Sequence, residues 1–239
     1  MKILHTSDWH LGHTLYNYDR TEEQMVMLLQ MVNIVKEQKP DVFLLCGDVY
    51  HTPQPSAAVQ TMFTNALVEI HDANPDMTII ITAGNHDSGT KHDIFRIPWK
   101  ALKVYTIGCI DANQKEDMII EIPGKGYVIA VPYVNERNMP KGLFQELLDI
   151  IKKKNADNLP VVMSALLKGV ILQVMKTDLN MLLVVLIHTN SMKWVLDMII
   201  LHLDIFIMDN LYIRANTMFD IAEHLFLFLS MRTTSIQCP

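Results

Sequence analysis

Three short motifs carry the residue types that bind metals and move protons: Asp8-Trp9-His10, Gly47-Asp48-Val49-Tyr50-His51 and Gly84-Asn85-His86-Asp87. Carboxylates, imidazoles and an amide carbonyl together make the donor set of a binuclear centre for cations such as manganese, iron or zinc. Asp8 and His10 lie two residues apart, so both can reach one ion from an extended or turning backbone. Asp48 has two oxygens with which to bridge two ions, and Asn85 offers a neutral oxygen to the second. Two such ions, roughly 3.5–4 Å apart, polarise a phosphoryl group and activate water at neutral pH. His86 adjoins a ligand and is the candidate general acid for a leaving oxygen, with Asp87 beside it to orient the ring. Taken singly, an Asp-x-His is more often a helix cap beside a surface histidine, and a Gly-Asp is commonly a plain turn. The meaning comes from all three occurring in order.

Each motif follows an apolar run, at 2–6, 42–46 and 78–82. Their β-branched content and turn-rich ends predict buried parallel strands, whose C-terminal ends share the sheet edge where ligands bind. Between them, Met25, Leu28, Leu29 and Val32 fall at helical spacing within 21–37, with Thr21 and Gln24 as a capping box. A second helix is predicted over 56–72, with Ser56 as its N-cap, and a third over 140–154. The third ends in Lys152-Lys153-Lys154, which complements the helix dipole. Further strands are predicted at 104–107, 118–122 and 127–131, and another begins at 160–163. This alternation defines an α/β layered fold, a sheet core flanked by helices. His13 and His51 flank the motifs and are placed to meet substrate, or are solvated loop residues. His5, His71 and His92 read as bland positions on a strand, a helix end and a loop, and Cys46 as core packing. Tyr16, Tyr18 and Arg20 form a loop cluster of a kind that meets nucleic acid.

The chain of 239 residues is 50% hydrophobic and 19% charged, which excludes a disordered protein. A net charge of −6 argues against a nucleic-acid binder that relies on a broad basic surface. Three scattered cysteines and an N-terminus without a signal-peptide core predict a reducing, cytoplasmic setting, and no clean membrane-length span is present. Beyond residue 163 the composition changes. One glycine stands there against eight before it, with seven of the 16 methionines, and the apolar clumps at 181–187, 194–200 and 225–229 follow neither period.

The motif text resembles the calcineurin-like metallophosphoesterases. Thr6-Ser7-Asp8-Trp9-His10-Leu11-Gly12, Gly47-Asp48-Val49-Tyr50 and Val131-Pro132-Tyr133 narrow the likeness to the SbcD nuclease subunits of bacterial SbcC–SbcD complexes. His51-Thr52-Pro53 follows Tyr50 where the protein phosphatases of the superfamily carry Asp-Arg-Gly. The resemblance covers about residues 1–163. It implies a layered metallophosphoesterase fold and a manganese-dependent double-strand DNA exonuclease and hairpin endonuclease. It further implies an SbcC ATPase partner, a role in recombination and repair, and a homodimer formed through N-terminal helices within a heterotetramer. By position, Asp8, His10, Asp48 and Asn85 would be metal ligands for two manganese ions and His86 the catalytic acid. Delegating DNA clamping to SbcC fits the absence of a basic surface. Two alternatives stand beside this: a small-molecule phosphodiesterase or phosphatase of the same superfamily, and a non-catalytic SbcC-binding remnant.

The family pattern also implies three more histidines, one after the strand beginning near Val161 and two in a later Gly-His-x-His. His188, His202 and His224 do not stand in such contexts. Read one frame over, a back-translation of residues 196–210 contains Gly-His-Ile-His followed by Tyr-Gly. Segments 169–180 and 218–230 likewise permit family-like text in the same shifted frame. The chain is therefore expected to consist of an N-terminal metallophosphoesterase part, 1–163, and an out-of-frame segment, 164–239, without family-like structure. As written it retains four ligands and lacks three, which predicts weak metal binding and little nuclease activity.

Overall fold

The computed structural model describes residues 1–168, 181–188 and 206–208. In chain order the elements are β1 (Ile3–Ser7), β2 (Thr14–Leu15), β3 (Tyr18–Asp19), α1 (Thr21–Gln38), β4 (Val42–Cys46), α2 (Ala57–Ala73) and β5 (Thr78–Thr82). There follow α3 (Gly89–Ile94), α4 (Arg96–Lys100), β6 (Val104–Ile107), β7 (Ile119–Ile122), β8 (Gly126–Asn135), α5 (Leu143–Lys154), β9 (Val161–Lys168), β10 (Met181–His188) and β11 (Phe206–Met208). One sheet runs β11-β1-β4-β5-β6, with β1, β4, β5 and β6 mutually parallel and β11 antiparallel to β1. The other runs β10-β9-β8-β7.

Alternation along β4 sets the layering. Val42, Leu44 and Cys46 face the second sheet, among Val128, Ala130, Val161 and Met163. Phe43 and Leu45 face the other way, against Leu28, Met31 and Val35 of α1 and Phe63, Leu67 and Ile70 of α2. Because successive strand side chains point to opposite faces, an all-apolar run such as Val42–Cys46 is buried on both. The amphipathic α5 buries Leu143, Leu147, Leu148 and Ile151 in the core that contains the second sheet. The predicted α/β layering is therefore realised as two sheets face to face with helices outside.

Two local expectations change. Thr21 does not cap α1: Asp19 accepts its N–H and hydroxyl at 2.8 and 2.6 Å, and Gln24 is turned to the loop after β1. Pro140 does not open α5, which starts at Leu143 after Gly142 at φ 75°. The N-cap at Ser56 holds, its hydroxyl accepting from Val59 N–H at 3.3 Å. Among the described residues no helix is long and apolar enough to cross a membrane. His202, His224 and most of 164–239 lie outside the described residues.

Candidate metal centre

The ligand loops are continuations of the sheet. Past the end of β1, Asp8 N–H donates to Gly47 O, His10 N–H to Asp48 O at 2.9 Å and Leu11 N–H to Val49 O at 2.9 Å. His51 N–H returns the bond to Leu11 O at 3.0 Å, and Gly47 N–H reaches Thr82 O at the end of β5. Trp9 anchors the first loop from beneath. It is buried edge-on against Phe43 and Phe63, and its indole N–H donates to Thr6 Oγ1 at 2.9 Å.

Making this turn forces the ligands into the left-handed region: φ is 52° at Asp8, 44° at His10 and 42° at Asp48. Each such residue costs of order 1–3 kcal/mol, which the surrounding bonds must offset. Gly84 is required by space. A Cβ there would lie 2.1 Å from both the amide nitrogen and Oδ1 of Asp48.

His10 Nε2 lies 3.9 Å from Asp8 Oδ1 and 3.7 Å from Asp48 Oδ2. These three residues form a group able to hold one cation. Asp48 is buried while Asp8 is about a third exposed, so an ion here would be reached from the Asp8 side. Burial, reinforced by the charges of Asp8 and Asp87, pushes the Asp48 carboxyl up to about 6, although it accepts His86 N–H at 2.7 Å. Such a carboxylate is short of positive charge, as an empty cation site is. Asn85 Oδ1 is buried with no hydrogen-bond partner among the described residues, which fits an oxygen kept for an ion. The four residues read as ligands are thus compatible with a divalent metal.

His86 stands edge-on to His10, with ring centroids 5.0 Å apart. Its orienting partner differs from the expected one: Nδ1 lies 3.0 Å from the carbonyl oxygen of His51, and Asp87 points the other way. Asp87 accepts Gly84, Val49 and Tyr50 N–H groups at 2.9–3.1 Å, joining the second and third motif loops. Its partner is His92, 3.6 Å away and buried, not the bland loop residue that the sequence suggests. Burial works to raise Asp87, but His92 and the backbone donors outweigh it and hold the carboxyl below the usual range. His13 and His51 sit beside the centre, rings 4.4 Å apart, and burial keeps both below the usual histidine value. Gln24 is a positioning residue the sequence did not reveal, donating to His10 O at 3.1 Å and accepting Gly12 N–H at 3.0 Å. Cys46 is inert: burial pushes its thiol up to about 12, and it lies 2.7 Å from Ser164 Oγ.

A fold of two facing sheets with Asp, His and Asn donors at the ends of successive parallel strands defines a metal-dependent phosphoesterase. Residues 1–164 match the calcineurin-like phosphoesterase family, and the chain belongs to it. Members of this family use divalent metals, and this chain carries the corresponding donors. Among curated proteins it is similar to the SbcD chain of the SbcCD nuclease of Rhodobacter capsulatus, 29% identical over 149 residues, 59% of this chain and 37% of the relative. It is also 33% identical over 131 residues to the SbcD chain of the Bacillus subtilis SbcCD nuclease, covering 55% of this chain and 32% of that protein. The chain thus spans about a third of the length of these relatives.

Proposed function

We propose that this chain is the N-terminal part of an SbcD-like DNA nuclease subunit, hydrolysing phosphodiesters with two manganese ions. The observation that carries the reading is the convergence of Asp8, His10 and Asp48, with the unpartnered Asn85 oxygen, under the ring of His86. Bound metals would supply Lewis acidity and an activated water. The protein's own part is to hold them with Asp8, His10, Asp48 and Asn85, Asp48 lying between. His86, with Nδ1 fixed on the His51 carbonyl, presents Nε2 to protonate the leaving oxygen.

The relatives are named as chains of SbcCD, which supports an SbcC ATPase partner and a role in DNA recombination and repair in the cytoplasm. A homodimer through the N-terminal helices is supported by the outer face of α1 and α2. Met25, Val26 and Leu29 are more than half exposed there beside a groove of about 650 Å³. The segment 164–239 is read as out-of-frame text, so the chain as written lacks the remaining ligands and has little activity. Sequencing the gene around codon 164 tests this directly, since a shifted frame interrupted by stops defeats it. On frame-restored protein, manganese-dependent cleavage of duplex DNA in preference to a small phosphodiester is the expected result. Preference for the small substrate overturns the nuclease reading.

A further inference from the structure

His10 belongs to a second group of potential donors. Its ring, with those of His51 and His86, offers three nitrogens all within 4.8 Å of one another. His51 and His86 are stacked at 5.5 Å with 20° between planes, and His10 meets His51 edge-on at 5.6 Å. A tetrahedral zinc site with bonds of about 2.0–2.1 Å needs donors roughly 3.4 Å apart, within reach of modest ring rotations at three half-buried side chains.

Two observations go beyond proximity. A carbonyl oxygen only accepts, so the bond between His86 Nδ1 and His51 O fixes the proton on Nδ1 and leaves the Nε2 lone pair available. That second bond is the usual companion of a metal-ligating histidine. His51 Nδ1, in turn, is buried with no hydrogen-bond partner among the described residues.

We propose that His10, His51 and His86 form a three-imidazole site that captures a zinc-class cation in competition with the carboxylate-rich centre. Donor chemistry separates the two: imidazoles suit zinc, nickel and copper, whereas Asp8, His10 and Asp48 suit manganese. The sites share His10, so one excludes the other. Occupation also takes the His86 lone pair, so zinc would block the proton donor; this consequence, unlike the site itself, rests on the nuclease reading.

Metal binding to the full chain tests the site without any activity. Cobalt, a spectroscopic substitute for zinc, should show the intense visible bands of four-coordination. Manganese should be followed separately by the loss of its free-ion spin-resonance signal. Asp8→Asn should abolish manganese binding and leave the cobalt spectrum. His51→Gln should abolish that spectrum, weaken zinc at least about tenfold, the lower bound for losing even an outer partner of a metal site, and spare manganese. Unchanged zinc affinity in His51→Gln, or loss of both metals together in Asp8→Asn, overturns the proposal. A measurement on unsubstituted chain guards against a variant that fails to fold. Zinc should protect His51 from diethylpyrocarbonate and manganese should not; modification of His51 at the metal-free rate in saturating zinc refutes the site. A chain that shows the zinc signature and binds no manganese supports the triad while refuting the carboxylate centre.

Discussion

Asp48 is the residue on which fold stability and chemistry conflict. Its folded-state carboxyl, at about 6, lies above the ordinary carboxylate value, so the native state holds a proton that the unfolded chain has released. The contribution of this group to metal-free stability is therefore fully present below about pH 4 and is lost as pH rises through about 6. Asp48→Asn should stabilise the metal-free protein at neutral pH by about 1–2 kcal/mol, with the gain shrinking toward pH 4. Urea unfolding at several pH values measures this. Manganese binding has the opposite dependence, strengthening as pH rises through about 6 because the ligand must be deprotonated. Gly84→Ala is expected to fail twice. The added carbon meets the Asp48 amide and carboxylate, costing about 1–3 kcal/mol, and it displaces a ligand, so calorimetry should show weaker unfolding and weaker metal uptake together. The five site residues were legible as types at strand ends. The His51 carbonyl was not, because a backbone oxygen leaves no mark in a sequence.

The elements that hold the site are tied by backbone, with Asp87 as the knot. Its side chain closes three amide donors from two loops, so Asp87→Ala leaves buried N–H groups without partners. At about 1–3 kcal/mol for each, the variant should lose at least about 3 kcal/mol in denaturant unfolding. Pure apolar strands such as Val42–Cys46 and Thr78–Thr82 were read from sequence with their observed bounds, since burial on both faces gives an unbroken run ended by turn residues. Helix starts were less legible. The Thr21 to Gln24 spacing fits a capping box, yet the Gln24 amide finds better partners across space, at Gly12 and His10. β8 runs on to Asn135 through Pro132, and the register slips between Val131 and Val134, where proline has no N–H for the ladder. His92 lies far enough along the chain from Asp87 that only the fold of α3 brings the two together.

Across the whole molecule, one sheet serves as the wall between two cores, and its strand ends form the platform for the ligands. The apolar outer face of α1 belongs to neither core. Leu29→Asp should lower the sedimentation coefficient to that of a monomer if this face joins two copies, with thermal stability nearly unchanged because the side chain is exposed. The left-handed backbone at Asp8, His10 and Asp48 bears on the chain's history. Asparagine or glycine tolerates that conformation better than histidine or aspartate does. A library selected only for solubility and folding should therefore drift toward those residues at the three positions. Their persistence here, beside text with little sign of selection for a fold, dates the loss of the second half as recent compared with the time such drift requires.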